Sequence, residues 1–295
     1  MRILVFGASG MLGHKLIQRL GTHAEVWGTL RSDFAQIERY GFLDARQAIE
    51  NVDVFDDASV RRALEVASPD VVINAAGIVK QLRTSKDVIQ TLTVNSIFPH
   101  KLAEWSGRLG FRLISISTDC VFDGARGKYS ESDTPNAVDL YGKSKHLGEV
   151  TGENCLTLRT SIIGRELNTG HSLIEWFLSN EGNTVKGYSR AIYSGFPTVV
   201  LADLIRSLIF DFPELSGLYH VSSDPINKYD LLMLVKKHFG VNVEIVPDPE
   251  FEIDRSLDSS TFRARTGFVP ESWDRMIEDM ASDPTPYNKW KTLTI

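Results

Sequence analysis

The sequence is poor in the residues that staple or metallate a fold. Only two of its 295 residues are cysteine, Cys120 and Cys155, which excludes a disulfide framework. Its seven histidines, at 14, 23, 100, 146, 171, 220 and 238, include no HxH or HxxxH pair, so no metal site is expected. Basic clusters are missing too: 32 Lys and Arg stand against 38 Asp and Glu, a formal charge of −6, which argues against nucleic acid as a partner. No apolar run is long enough for a bilayer, the longest, Val71 to Val79, being interrupted by Asn74. The N-terminus MRILVFGASG has an apolar run too short for a signal peptide and leads into glycines rather than a cleavage site, so a cytoplasmic protein without membrane contact is expected. What is present, 42% apolar and 24% charged residues, describes an ordinary globular chain long enough for two domains.

Short apolar runs alternate with helical patterns through the first half, the signature of stacked βαβ units. Ile3 to Phe6, Ala24 to Thr29, Val52 to Val54, Val71 to Ala76 and Arg112 to Ile116 read as parallel strands. Leu12, Leu16, Ile17 and Leu20 recur at helical spacing, and further helices are read over Ala58 to Val66 and Ile89 to Leu109. After one more strand, Cys155 to Ile163, the alternation lapses. Helices at Leu173 to Asn180, Val200 to Phe210 and Tyr229 to Phe239 are joined by longer polar loops, with strand-like pieces at Leu218 to Val221 and Val243 to Val246. The expected class is α/β: a Rossmann-type doubly wound parallel sheet over residues 1–165 and a smaller C-terminal α/β substrate lobe over 166–295, parts of which pack back on the sheet.

Between the first strand and the first helix stands Gly7-Ala8-Ser9-Gly10-Met11-Leu12-Gly13. Glycines there allow a tight turn and a close approach of backbone to a pyrophosphate, whose charge meets the unpaired N–H groups of the helix N-terminus. The end of the second strand, where NAD sites carry a carboxylate for the ribose 2′-OH, reads Thr29-Leu30-Arg31-Ser32. Arg31 with Ser32 suits a 2′-phosphate, which favours NADP(H), while Asp33 keeps NAD(H) as the alternative.

Tyr141 and Lys145 share a helix face in a YxxxK pair. A phenol is a poor proton donor at pH 7 unless a cation stabilises its phenolate, which an ammonium one turn away can do. The pattern alone proves little, because Tyr287 and Lys291 repeat it. Tyr141 differs in context: Ser117-Thr118-Asp119 places hydroxyls at the carboxyl end of the sheet, the edge along which open α/β sheets bind ligands.

Taken together, these residues resemble the extended short-chain dehydrogenase/reductase family, and within it the reductases related to dTDP-4-dehydrorhamnose reductase. The resemblance rests on GASGMLG at 7–13, NAAG at 74–77, Asn95 before Phe98-Pro99, STDCVFDG at 117–124, YGKSK at 141–145, LRTSIIG at 158–164, GFPT at 195–198 and GLYHVSS at 217–223, in family order over most of the chain. It implies that Tyr141 is the general acid, that Lys145 lowers its pKa and binds the nicotinamide ribose, and that Thr118 bonds the substrate carbonyl oxygen. Asn74, Ala75, Ala76 and Gly77 would line the cofactor, with Asp53 and Val54 near its adenine. Asp119, Cys120, Val121 and Phe122 would lie beside the substrate, and Arg165, Glu166, Arg190 and Tyr193 are candidates for its diphosphate and sugar.

The implied reaction is NADPH-dependent reduction of the 4-keto group of a nucleotide-linked 6-deoxysugar, in surface polysaccharide or nucleotide-sugar biosynthesis. Two alternatives stand beside it: an epimerase or dehydratase on the same scaffold, and a non-catalytic NADP-binding regulatory subunit. Dehydratases of the family show Thr-Asp-Glu where this chain has Thr118-Asp119-Cys120, and the rhamnose-type reductases have an aromatic residue at Cys120, which leaves the sugar open. A homodimer is compatible with all three readings.

Overall fold

The structure, a computed structural model, describes residues 1–80 and 83–292. Seven strands form one parallel sheet: β1 (Arg2–Phe6), β2 (Glu25–Thr29), β3 (Ala48–Ile49), β4 (Val71–Asn74), β5 (Arg112–Thr118), β6 (Cys155–Thr160) and, after three strands that lie elsewhere, β10 (Gly217–His220). Their spatial order is β3-β2-β1-β4-β5-β6-β10, reversing direction beside β1, as in doubly wound nucleotide-binding folds. Both sheet faces are covered, which is why its strands read as continuous apolar runs. Ile3, Val5, Ile73 and Ile114 pack against one set of helices, including α1 (Gly13–Leu20); Leu4, Phe6, Val72 and Leu113 pack against α2 (Asp57–Ala67) and its neighbours.

Two sequence expectations change in this region. The third strand is Ala48–Ile49, paired with Gly28 and Thr29, and not Val52 to Val54. The backbone turns through a positive φ at Asn51, and the Asp53 carboxylate accepts the Phe55 N–H at 3.0 Å, so that stretch folds into the turn leading to α2. The helix expected over Ile89 to Leu109 is three pieces: α3 (Val88–Leu92), a π-helical turn (Thr93–Ile97) and α4 (Phe98–Leu109). Pro99 has no N–H to return to the Asn95 carbonyl, and the wider turn forms where that bond is missing.

Helix α5 (Leu140–Leu147) precedes β6, and then the chain leaves the sheet through β7 (Ile162–Ile163), which pairs with β9 (Phe196–Pro197). Helix α6 (Leu173–Leu178), strand β8 (Thr184–Tyr193), helix α7 (Thr198–Phe210), β11 (Ile226–Asn227), α8 (Lys228–Phe239) and β12 (Glu244–Asp254) follow, with α9 (Ser260–Thr266), α10 (Trp273–Ala281) and α11 (Tyr287–Thr292) at the end. Strands β11, β8 and β12 make a second, three-stranded sheet. Sequence reading missed β8 and most of β12. The inward positions of β8 carry Gly187 and Ala191, a weak apolar signal, and β12 contains Pro247 and Pro249, which ordinarily demote a strand.

Residues beyond 165 also return to the large sheet. Strand β10 extends it beside β6, and α7 packs on α1. Near the end, Trp290 meets Tyr40 with ring centroids 5.0 Å apart. No helix among the described residues is long and apolar enough to cross a membrane, and none of their His, Cys, Asp and Glu side chains cluster as a metal site.

Candidate active site

The glycine turn after β1 is shaped by close approach. Gly7 has φ +82°, and a Cβ on it would stand 2.9 Å from the Ala76 nitrogen. A Cβ on Gly13 would fall 2.0 Å from the Gly7 carbonyl oxygen. Ser9 and Gly10 are exposed, Met11 is half-buried and Leu12 is buried. No side chain caps α1 and its first turn carries no acidic residue; the His14 N–H is met by the Gly10 carbonyl of the turn itself at 3.1 Å. These features fit a dinucleotide pyrophosphate. Asn74, at the end of the neighbouring β4, is 3% exposed and its Oδ1 has no hydrogen-bond partner.

Arg31 stands exposed past the end of β2, with Ser32 half-buried beside it. Asp33 accepts from Asn51 Nδ2 at 3.2 Å. Asp53 is exposed and Val54 half-buried, in the turn before α2.

Thr118, Tyr141 and Lys145 converge at the carboxyl end of β5. The Thr118 hydroxyl donates to Asp119 Oδ1 and accepts the Cys120 N–H, both at 3.1 Å. Helix α5 can press against this loop because residue 142 is glycine; a Cβ there would lie 2.2 Å from the Cys120 carbonyl oxygen. Burial raises the Tyr141 pKa, helped by the neighbouring Cys120, while the Thr118 hydroxyl acts in the opposite sense. Tyr141 is therefore a protonated phenol at neutral pH. Lys145 Nζ donates to the Ile116 carbonyl at 2.6 Å, and burial brings its pKa down to about 8 against the pull of Glu149. The control pair behaves differently: Tyr287 bonds His14, and the Lys291 side chain lies outside the described residues.

A buried polar frame holds these groups. Asn95 in the π turn accepts the Ile78 N–H at 2.9 Å and donates from Nδ2 to the Ile78 carbonyl at 3.0 Å and to Ser144 Oγ at 3.1 Å. It thereby couples the loop following Ala76 to the helix that carries Tyr141. Beneath Lys145, Glu149 accepts from Ser117 Oγ at 2.7 Å and forms a two-pronged ion pair with Arg159, at 2.6 and 2.7 Å. Arg159 also donates to His220 Nε2 at 3.1 Å, and His220 Nδ1 donates to the Tyr129 carbonyl. Burial would raise the Glu149 pKa, but Arg159 holds it below its ordinary value.

The C-terminal half closes the site with two cations the sequence did not single out. Arg255, just past β12, donates to the carbonyls of Phe122 at 2.9 Å and Asp123 at 3.3 Å and sits 3.9 Å from Cys120 Sγ. Lys228, first residue of α8, places its nitrogen 5.2 Å from the centre of the Tyr193 ring. Asp119 is buried and its pKa is raised by that burial, although Thr118, Arg255 and Lys228 oppose the shift. Burial and the Asp119 charge push the Cys120 thiol up to about 12, so it stays protonated and unreactive. The detectable signal for Lys228 was its place directly after the capping residue Asn227, where a helix disfavours a cation.

Several expected substrate residues turn out otherwise. Val121 and Phe122 are fully buried in a small core with Tyr129 and Leu257, and present no surface to a ligand. Arg165 is spent on Glu175, at 2.7 Å, and on Asn288 Oδ1, also at 2.7 Å, with its guanidinium over the Tyr287 ring. Glu166 accepts the N–H groups of His171 and Ser172. Arg190 is exposed and pairs with Glu252 along the β8–β12 edge. Tyr193 alone among that group is brought beside Asp119, whose charge adds to the effect of burial on its hydroxyl.

Comparison with known proteins agrees with this geometry. Aggregatibacter actinomycetemcomitans dTDP-4-dehydrorhamnose reductase is 28% identical over 305 aligned positions, covering 95% of this chain and 98% of that protein. The Bacillus subtilis spore coat polysaccharide biosynthesis protein SpsK is 27% identical over 251 positions, 83% of this chain and 82% of the relative. The fold matches the crystal structure of Bacillus anthracis dTDP-4-dehydrorhamnose reductase in complex with NADP, with a TM-score of 0.78 at 21% identity, over 95% of this chain and 98% of the other. A sequence profile described as the RmlD substrate binding domain matches residues 1–285, running from the glycine turn through the second sheet and beyond α10. The chain thus belongs to the RmlD substrate binding domain family, within the extended short-chain dehydrogenase/reductases.

Proposed function

We propose that the protein is an NADPH-dependent reductase of the 4-keto group of a nucleotide-linked 6-deoxysugar, working in cytoplasmic biosynthesis of nucleotide sugars or surface polysaccharide. The observation that carries this reading is the convergence of Tyr141, Thr118 and Lys145 at the end of β5, coupled through Asn95 to the loop that touches the glycine turn. Residues 1–165 hold the cofactor, and the sugar lies between them and residues 166–295.

When bound, the nicotinamide supplies a hydride to the ketone carbon. Gly7, Ser9, Gly10, Met11, Leu12 and Gly13 bind its pyrophosphate, Arg31 and Ser32 take the 2′-phosphate, and Asn74 to Gly77 line the path between. Asp53 and Val54 border the adenine. Tyr141 gives its proton to the carbonyl oxygen. Lys145, charged below pH about 8, offsets the cost of the phenolate that remains. A hydroxyl has one proton, and that of Thr118 turns from Asp119 toward the carbonyl oxygen, where Cys120 N–H keeps the oxygen atom in place. Cys120 in place of a glutamate removes the acid–base partner that elimination would need, which favours reduction over dehydration.

The test is oxidation of NADPH, followed by absorbance, with a panel of nucleotide 4-keto-6-deoxysugars. Stoichiometric consumption with one of them supports the reading. Tightly held NAD+ that survives purification, with no net NADPH consumption on any sugar, would sink it in favour of an epimerase or dehydratase.

A further inference from the structure

The segment from Asp283 to Trp290 returns to α1, the helix that follows the glycine turn. Lys15, buried in α1, has three N–H donors and uses them on Asp283 Oδ1 at 2.7 Å, Thr285 Oγ1 at 2.7 Å and Gln18 Oε1 at 2.8 Å. Its ammonium stands 5.1 Å from the centre of the Tyr287 ring, and the Arg165 guanidinium stands 4.9 Å from the same ring. Pro284 and Pro286 fix two backbone φ angles, so the segment loses little freedom when it docks.

Tyr287, the tyrosine of the second YxxxK pair, is the residue that reaches the turn. A carbonyl only accepts, so the 2.8 Å bond between His14 Nδ1 and the Gly10 carbonyl puts the ring proton on Nδ1. Burial keeps the ring neutral, which leaves Nε2 bare, and the Tyr287 hydroxyl donates to it at 2.6 Å. The Gly10 carbonyl also accepts the His14 N–H at 3.1 Å, so both bonds draw it into the helix. Because the peptide is planar and trans, the Met11 N–H points the opposite way, out of the helix end, where a pyrophosphate would meet it. Further along, Trp290 packs on Tyr40 with ring centroids 5.0 Å apart, and Tyr40 belongs to the segment that follows Arg31.

We propose that residues 283–290 are a positioning strap for the cofactor, in which the Tyr287 hydroxyl, through His14, sets the orientation of the Gly10–Met11 peptide against the pyrophosphate. The strap touches no reacting atom. This rests on the reading that a dinucleotide occupies the glycine turn and is independent of the sugar. Coupling between two sites is reciprocal, so the affinity that the strap adds to the cofactor returns as protection of the strap when the cofactor binds.

Tyr287→Phe keeps the ring over Lys15 and Arg165 and removes only the hydroxyl. NADPH affinity, measured by fluorescence, should weaken by roughly fivefold or more, with kcat at saturating NADPH within about threefold of the wild type. In a His14→Leu background the same substitution should add nothing, since the path to Gly10 is already cut. A lower urea midpoint with unchanged affinity, or full additivity of the two substitutions, overturns the inference. Hydrogen exchange decides the matter on the wild type if Tyr287→Phe does not fold. The peptide covering 283–290 should slow on addition of NADPH by more than residues 244–248 of the second sheet, and equal slowing overturns the strap. A wild type that binds neither NADPH nor NADH overturns both the inference and the cofactor assignment. One that binds NADPH and reduces none of the sugars overturns the reductase reading alone.

Discussion

The Tyr287 hydroxyl lies 2.6 Å from Nε2 of His14, tying the last described helix to the helix that follows the glycine turn. The other ring nitrogen of His14 meets the Gly10 carbonyl at 2.8 Å. Both bonds suit a neutral ring, which donates from Nδ1 and accepts the tyrosine proton at Nε2. Burial lowers its pKa from 6.5 to about 4, against the carbonyl's pull. The unfolded chain therefore binds a proton near pH 6.5 that the folded chain refuses until about pH 4, and stability falls as the pH drops through that interval. Up to about 3 kcal/mol is at stake. Urea midpoints measured from pH 7 to 4 should fall more in the wild type than in His14→Gln, and equal slopes would contradict the assignment.

Lys145 titrates at the working range of the proposed reaction. Its folded pKa of about 8 lies below the ordinary lysine value because of burial, so the ammonium is present below that pH and lost above it. The kcat/KM profile should decline as the pH rises through about 8. Lys145→Met should show both a low rate and no such decline; retention of the same limb in that variant would assign it to another group.

Tyr141→Phe keeps the ring and removes the proton. We expect kcat to fall by about 10²- to 10⁴-fold while NADPH affinity changes less than about threefold, since the proposed role of the phenol is on the substrate oxygen. Turnover near the wild-type rate would transfer the acid role elsewhere.

Arg31→Ala separates the two cofactors. Loss of a charged contact to the 2′-phosphate should weaken NADPH by roughly ten- to a hundredfold and leave NADH within about twofold. Parallel weakening of both would mean that Arg31 acts on the adenosine as a whole.

Asn95→Ala would strand the backbone N–H and carbonyl of Ile78. A loss of about 3 kcal/mol in urea unfolding is expected, with a drop in kcat because α5 loses its tether to the cofactor loop. A stable variant with normal kcat would show that the Ser96 bond to the Ser144 carbonyl suffices alone.

What could be read from the sequence, and what could not, divides along physical lines. Gly7 to Gly13, Thr118, Tyr141 and Lys145 were legible because turn geometry and proton chemistry restrict the residue types and the spacing. Arg255 was not, since it is an ordinary charge in its own neighbourhood and acquires meaning only when β12 brings it to Cys120, and the one local sign of Lys228, a cation at a helix start, says nothing of the Tyr193 ring it comes to lie over. Arg165 and Arg190 misled for the same reason, as their carboxylate partners Glu175 and Glu252 cannot be told from solvent in one dimension. The π turn was foreshadowed by Pro99, but the reading of one helix through it ignored the missing N–H.

The pairing of β10 with β6 sets a condition on synthesis. Leu156 to Arg159 take as neighbours Gly217 to His220, so residues 161–216 must be made before that flank of the sheet is covered. Until then the nascent chain shows a bare strand edge with unpaired backbone groups, a template for joining other chains. Such a long-range closure slows folding, and a polypeptide released before residue 217 is expected to aggregate rather than persist as a shortened enzyme.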